Sequence, residues 1–325
     1  MRPAACRSPR REVPQFDVPQ LEVPQVLKRV GTWVHDNPYL LLVLTSMMWA
    51  GNGVAARIAV GHISPMALTS LRWVVTCLAM AVFAWRPVVE AWPRLRPRLP
   101  YLLVMGTIGF TGFNVPFYWG AHHTTAVNLT IIQGAIPVFV MLGALALYGT
   151  PVGAMQALGM AVTLVGVAVL ASQGDLANLL GLELNVGDLG MIVACLLYAG
   201  YTIGLRNRPN VSGLALLGAF ALVAALTSAP LLAIEVARGE VLWPDATGLL
   251  CILYVGLLPS LTAQMLFMRA VELIGPGRAS LFVNLVPVFG ALFAVAILAE
   301  PFGIYHAAAL ALVLGGIALA ETRRR

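Results

Sequence analysis

Long runs of apolar residues, broken by short clusters of charge, set the pattern of this chain. From Leu99 to Gly174 no Asp, Glu, Lys or Arg occurs over 76 residues. A helix needs roughly 20 apolar residues to cross hydrocarbon, so this stretch predicts three spans joined by short turns. Further charge-free runs at 189–205, 209–234, 246–268, 279–299 and 301–320 are each about one bilayer thickness long. The whole pattern predicts an all-α membrane protein with ten spans, at 38–60, 65–85, 99–121, 124–148, 151–172, 187–205, 211–235, 246–268, 279–299 and 301–320. Tight turns are expected at 149–150 and 299–301, with Pro151 and Pro301 in the first turn of the following helix, where a missing N–H does no harm.

Residues 1–37 break the pattern. They repeat a five-residue unit, Glu12-Val-Pro-Gln-Phe16, Asp17-Val-Pro-Gln-Leu21 and Glu22-Val-Pro-Gln-Val26. Proline at every fifth position blocks a regular helix, so an extended or disordered cytoplasmic tail is expected. No apolar stretch follows the basic start as a signal peptide requires. At the other end, 322–325 form a short basic tail, and 173–186 read as a linker on the far side of the membrane between the halves.

Composition agrees. The chain is 59% hydrophobic and 10% charged, against roughly 25% charged in soluble domains. Its net charge of +6 raises the question of nucleic acid, but the placement of the basic residues answers it otherwise. With the N-terminus inside and ten spans, 17 basic residues fall in inside segments and one, Arg238, in an outside segment. That is the positive-inside distribution. It sets both termini in the cytoplasm, and an odd number of spans would scatter it. Cys6, Cys77, Cys195 and Cys251 form no CxxC pair, so neither a disulfide framework nor a metal site is implied.

The halves resemble each other. Pro137-Val-Phe139 returns as Pro287-Val-Phe289, Pro151 as Pro301, and Gly166-Val-Ala168 as Gly316-Ile-Ala318, all 150 residues on. Trp49-Ala-Gly51 returns as Tyr198-Ala-Gly200, and Arg57 as Arg206, 149 residues on. The repeats cover 38–172 and 187–321, with five helices in each. An odd number makes the second copy enter the membrane from the opposite face. Such 5+5 inverted-topology repeats are the architecture of secondary transporters, whose sites lie near the midplane between the halves.

Trp49-Ala-Gly51 in the first helix, Leu71-Arg72-Trp73 in the second and Ala299-Glu300-Pro301 closing the ninth, in that order and spacing, resemble the EamA family of the drug/metabolite transporter superfamily. The resemblance covers about 38–321 and implies export of amino acids, other small metabolites or drugs across a bacterial cytoplasmic membrane. The first copy of the family pattern carries an acidic residue where this chain has Thr150, which leaves Glu300 alone with that feature.

Polar side chains inside spans are costly and face the bundle interior. Asn52, Asn114, Asn128, Gln133, Gln264 and Asn284 are candidates either to meet a substrate or to tie helices together. Gln133 and Asn284 stand one turn before Pro137 and Pro287, where a mid-helix proline would free a carbonyl. Trp49, Tyr118, Tyr198 and Tyr201 are candidate walls of a substrate path, with packing as the plain alternative. Arg57, Arg72 and Glu300 fall towards the outer side, and Glu300 pairing with one of the arginines would act as a gate or a static clamp. His122 and His123 mark an outer turn and His306 the last helix, but no carboxylate stands at midplane, so proton antiport gains no support. Gly106, Gly109 and Gly112, and Gly200 with Gly204, allow close helix contact.

Other classes fit less well. No HExxH, GxSxG or paired aspartates suggest an intramembrane enzyme, and the one lysine lies in the tail. No cofactor or metal is called for. A structural or sensory membrane protein would have no use for two exchangeable halves, and no ring of charges or carbonyl-filter motif suggests a channel. The expected partners are a small-molecule substrate and the lipid bilayer; a homodimer is compatible with the pattern.

Overall fold

A computed structural model describes residues 35–121, 123, 132–172, 174–175, 177, 185–298 and 303–321. Asn128, His122, Glu300, Pro301, nearly all of the N-terminal tail and much of the linker lie outside them. Among the described residues every regular element is helical: α1 (Pro38–Ala59), α2 (Pro65–Phe83), α3 (Trp85–Leu95), α4 (99–121), α5 (Ile136–Tyr148), α6 (Ala154–Ala171), α7 (Val186–Gly204), α8 (Gly213–Ala237), α9 (Ala246–Ile274), α10 (276–298) and α11 (Ile304–Glu321). Seven stretches, within α1, α2, α7, α8, α9, α10 and α11, are long and apolar enough to cross a membrane, and α5 and α6 are shorter apolar helices.

Several expectations are corrected in detail. Helix α6 starts at Ala154 after extended Gly153, so Pro151 stands ahead of the helix and not in its first turn. Pro137 does not interrupt a helix but lies in the opening turn of α5, whereas Pro287 lies within α10, just after a 3₁₀ turn. Before Pro137 the chain turns at 134–135, and before Pro287 it runs through a 3₁₀ turn at Phe282–Asn284. An irregularity is therefore present at both places, from a helix start after Gln133 and from the 3₁₀ turn that contains Asn284. Residues 86–98, which lie between two expected spans, hold most of α3, which is amphipathic.

Packing follows the repeat. Helix α1 lies against α9, and α7 lies against α4, so the first helix of each half packs on the third of the other. Helix α2 faces α8, and α6 faces α11. The third helices share a local distortion. Thr107–Thr111 of α4 and Gly256–Ala263 of α9 are π-helical, and their starts are 149 residues apart. Pro259 supplies a cause in α9. It has no N–H for the Val255 carbonyl, which instead accepts from the Ser260 hydroxyl at 2.6 Å.

Side-chain contacts define two ends. At one, Arg269 donates to Asp36 and Glu272 at 2.9 Å each, Arg208 pairs with Glu272, and Arg278 with Glu321. Arg206 reaches Thr150 (3.0 Å) and Tyr101 the Gly204 carbonyl (3.0 Å) at the same end. At the other, Ser64 donates to Glu235 (2.6 Å), and the His62 ring meets Asp245 (2.6 Å). Residues around 36, 101, 150, 206–208, 269–278 and 321 thus share one end.

Asp245 caps α9 through the Gly248 amide at 2.9 Å. That bond first, and then His62, holds its carboxyl below the ordinary carboxylate range. A depressed folded-state value stabilises the fold above the ordinary Asp range and loses that contribution as pH falls through the depressed value. Asp245→Asn is therefore expected to flatten the acid limb of thermal stability below about pH 4. Unfolding midpoints from pH 7 to pH 3, compared for the two proteins, check this; parallel curves would show that the cap carries no pH dependence.

Candidate functional site

Where α1, α2, α4 and α9 meet, one arginine organises a buried polar network. Arg72, on α2, is 3% exposed. Its Nε donates to Ser260 Oγ (2.8 Å), its Nη1 to Asn114 Oδ1 (3.2 Å) and Tyr118 Oη (2.6 Å), and its Nη2 reaches the Val255 carbonyl at 3.5 Å. The Tyr118 hydroxyl donates onward to Asn52 Oδ1 at 3.0 Å. Thr76, one turn after Arg72, places its hydroxyl 2.9 Å from the carbonyls of both Arg72 and Gly256. The π segment of α9 makes this possible, because it releases carbonyls that a continuous α-helix would keep.

Every one of these partners is neutral. The guanidinium also lies 5.4 Å from the Trp73 ring and 5.9 Å from the Tyr118 ring, within range of a cation–π contact. Among the described residues no carboxylate pairs with Arg72. Within the described residues this buried cation is solvated by dipoles alone, and an anion arriving beside it gains far more than it would in water.

Aromatic side chains lead from this network to the centre of the bundle. Tyr118 contacts Phe117, which stacks on Phe113, which contacts Tyr198 at 5.2 Å. Tyr198 also meets Trp49 edge-on (5.8 Å), Tyr201 (5.6 Å) and Phe267 (5.9 Å). The pairing of Trp49 with Tyr198 joins two positions that the internal repeat makes equivalent. Gln264 reaches toward the Tyr198 hydroxyl. Tyr198 Oη, Tyr201 Oη and Gln264 Oε1 are all buried without a hydrogen-bond partner among the described residues. Such a group costs about 1–3 kcal/mol, and a cluster of them calls for an explanation.

The sequence candidates therefore divide. Asn52, Arg72, Asn114 and Tyr118 form the network, and Trp49, Tyr198, Tyr201 and Gln264 the aromatic centre. Asn284 stands apart. It is fully buried and donates to Thr163 of α6 at 2.9 Å, while its own Oδ1 lacks a partner among the described residues. Gln133 is half-buried just ahead of α5, and Arg57 lies on α1. His123 contacts the Trp119 carbonyl (2.8 Å), and His306 bonds locally with Gly303. Sequence reasoning missed Ser260, Thr76, Phe113, Phe117 and Phe267. Ser260 carried a signal, a hydroxyl next to Pro259 inside a charge-free run.

The expected close contacts are present at Gly106, Gly109 and Gly204 but not at Gly200. A Cβ on Gly109 would overlap the Tyr201 ring, and one on Gly106 would fall 2.7 Å from Val223. Gly200 has room, with its nearest neighbour at 3.6 Å.

Comparison with known proteins agrees with this architecture. The chain is 25% identical over 296 residues to the uncharacterized transporter YyaM of Bacillus subtilis, covering 88% of this chain and 94% of that one. It is 31% identical over 137 residues to a probable terminal-alkyne amino-acid exporter of Streptantibioticus cattleyicolor, covering 42% of this chain and 46% of the relative. A crystal structure with 19% identity superposes with a TM-score of 0.70, covering 87% of this chain and 96% of that one, which shows a shared fold. The profile of the EamA-like transporter family matches residues 37–172 and again 185–322. With both halves matched, this multi-pass membrane protein belongs to the EamA-like transporter family.

Proposed function

We propose that the protein exports an amino acid or a related small carboxylate from the cytoplasm, by alternating access of two inverted five-helix repeats in a bacterial cytoplasmic membrane. In this reading α1, α2 and α4–α11 are the ten spans. The end that carries Arg206, Arg208, Arg269 and Arg278 faces the cytoplasm, together with both termini. The crossed packing of α1 on α9 and of α7 on α4 supports two halves that exchange roles.

The observation that carries the substrate class is Arg72, a buried cation among neutral partners where the halves meet. A carboxylate supplies the balancing charge and would accept from the second Nη2 N–H, which has no partner among the described residues. The aromatic centre at Trp49, Tyr198 and Phe267 then receives the apolar part, and Gln264, Tyr198 and Tyr201 offer hydrogen bonds to a polar group on it. The Streptantibioticus relative, named as an amino-acid exporter, fits the same class.

The test compares small molecules in spent medium from cells that express the intact protein or Arg72→Met at matched membrane levels. One compound or a few closely related carboxylates are expected to accumulate only with the intact protein. Identical media would sink the export reading. Enrichment of compounds that lack a carboxylate would keep export and remove Arg72 as the anion site.

A further inference from the structure

Helix α3 sorts its side chains onto three faces. At about 100° per residue, Val88, Ala91 and Leu95 share one face, Trp85, Val89 and Trp92 the next, and Arg86, Glu90 and Arg94 the third. The first face belongs to the bundle: Ala91 and Leu95 are buried, and Val88 lies where a Cβ on Gly218 of α8 would meet it at 2.7 Å. The second is bare, with Trp85 53%, Val89 58% and Trp92 46% exposed. The third is charged and exposed, and exposed Arg96 and Arg98 follow directly in the next turn.

A bare apolar face beside a charged one is the signature of a helix lying in the membrane interface. Tryptophan at two of its three apolar positions places the helix at headgroup level. The charge then selects the lipid. Over 85–98 four arginines face one acid, Glu90, a net of three positive charges. Glu90 stands one turn from both Arg86 and Arg94 and offsets one of them at most. The opposite end of the molecule is the internal contrast: Trp243 is equally exposed there, but among the exposed charges of its loop two acids, Glu240 and Asp245, outnumber one arginine, Arg238.

We infer that α3 and the turn after it form a binding surface for anionic phospholipid headgroups, with Trp85, Val89 and Trp92 in the acyl boundary and Arg86, Arg94, Arg96 and Arg98 on the phosphates. The lipid contacts α3, α3 packs on α8, and α8 packs on α2, the helix of Arg72. The surface needs no assumption about what is transported.

Brominated lipids test it, because bromine quenches tryptophan on contact. The full chain is reconstituted in vesicles of dibrominated phosphatidylglycerol or dibrominated phosphatidylcholine, alongside Trp85→Phe/Trp92→Phe. Subtracting the double variant isolates the two interfacial tryptophans from the other five. Their signal is expected to be quenched severalfold more by the anionic lipid. The preference should vanish when Arg86, Arg94, Arg96 and Arg98 are all replaced by Gln, while quenching by the neutral lipid persists. Equal quenching by both lipids in the intact protein would overturn the proposal, as would a preference that survives loss of the four charges. Failure of quenching by either lipid would remove α3 from the interface altogether.

Discussion

Arg72→Met is expected to abolish export, with a loss of about two orders of magnitude, while the unfolding midpoint moves little. The two effects separate because opposite terms meet at this residue. The substitution gives up hydrogen bonds to Ser260, Asn114 and Tyr118, each about 0.6–2 kcal/mol inside a membrane protein. It also removes the desolvation penalty of a charge with no acidic partner among the described residues, several kcal/mol in a buried setting. Ser260 and Tyr118 keep their own donations, to Val255 and Asn52, so among these three partners Asn114 Oδ1 alone is left without the bond it had. Arg72→Lys keeps the charge without the fork and is expected to retain reduced export. Thermal unfolding of purified protein and efflux of the compound found in spent medium check both. A static clamp gives the opposite result, with export falling only in step with the amount of folded protein.

The second large effect comes from two adjacent glycines of α11. A Cβ on Gly316 would fall 2.6 Å from the Gly159 carbonyl oxygen and 2.7 Å from Thr163 Cγ2, both on α6. The neighbour is backbone and cannot rotate away, so α6 and α11 would have to separate. Gly316→Ala is expected to lose about 1–3 kcal/mol from overpacking. Gly315 has nothing within 4 Å of its Cβ position, and Gly315→Ala should leave stability unchanged or raise it slightly. Unfolding midpoints of the two variants, measured in the same detergent, provide the comparison. Equal behaviour would mean that the two helices do not hold this separation.

Much of this was legible in the sequence because hydrocarbon imposes simple rules. Charge-free runs of one bilayer thickness located most of the helices. The 149- and 150-residue offsets located the repeat, and the rarity of Arg72, Asn114 and Tyr118 inside apolar runs marked them out. Three features escaped for physical reasons. Helix α3 mixes Trp, Pro and Arg and reads as a basic loop until its three faces are separated. Pro137 reads as an interruption, although α5 simply starts one residue before it. Ser260 and Thr76 are small hydroxyls of a kind common in spans, and only the carbonyls released by the π segment give them a role. The neutral surroundings of Arg72 were also invisible, since a sequence shows which charges exist and not which of them meet.

The π segment of α9 has a geometric consequence. Val255, Pro259, Ala263 and Phe267 are all buried, and so are Gly256, Ser260, Gln264 and Met268. In a continuous α-helix every fourth residue drifts about 40° around the axis, and three such steps would carry a position a third of the way round. The wider turns absorb that drift, so each set runs as a straight file parallel to the helix axis. A straight file behaves as a track. A shift of α9 along its own length by about 6 Å, the rise of four residues, brings the next residue of the same file to the same place without turning a lipid-facing side inward. Opposite Arg72, that exchanges the hydroxyl of Ser260 for the bare backbone of Gly256 in one direction and the amide of Gln264 in the other.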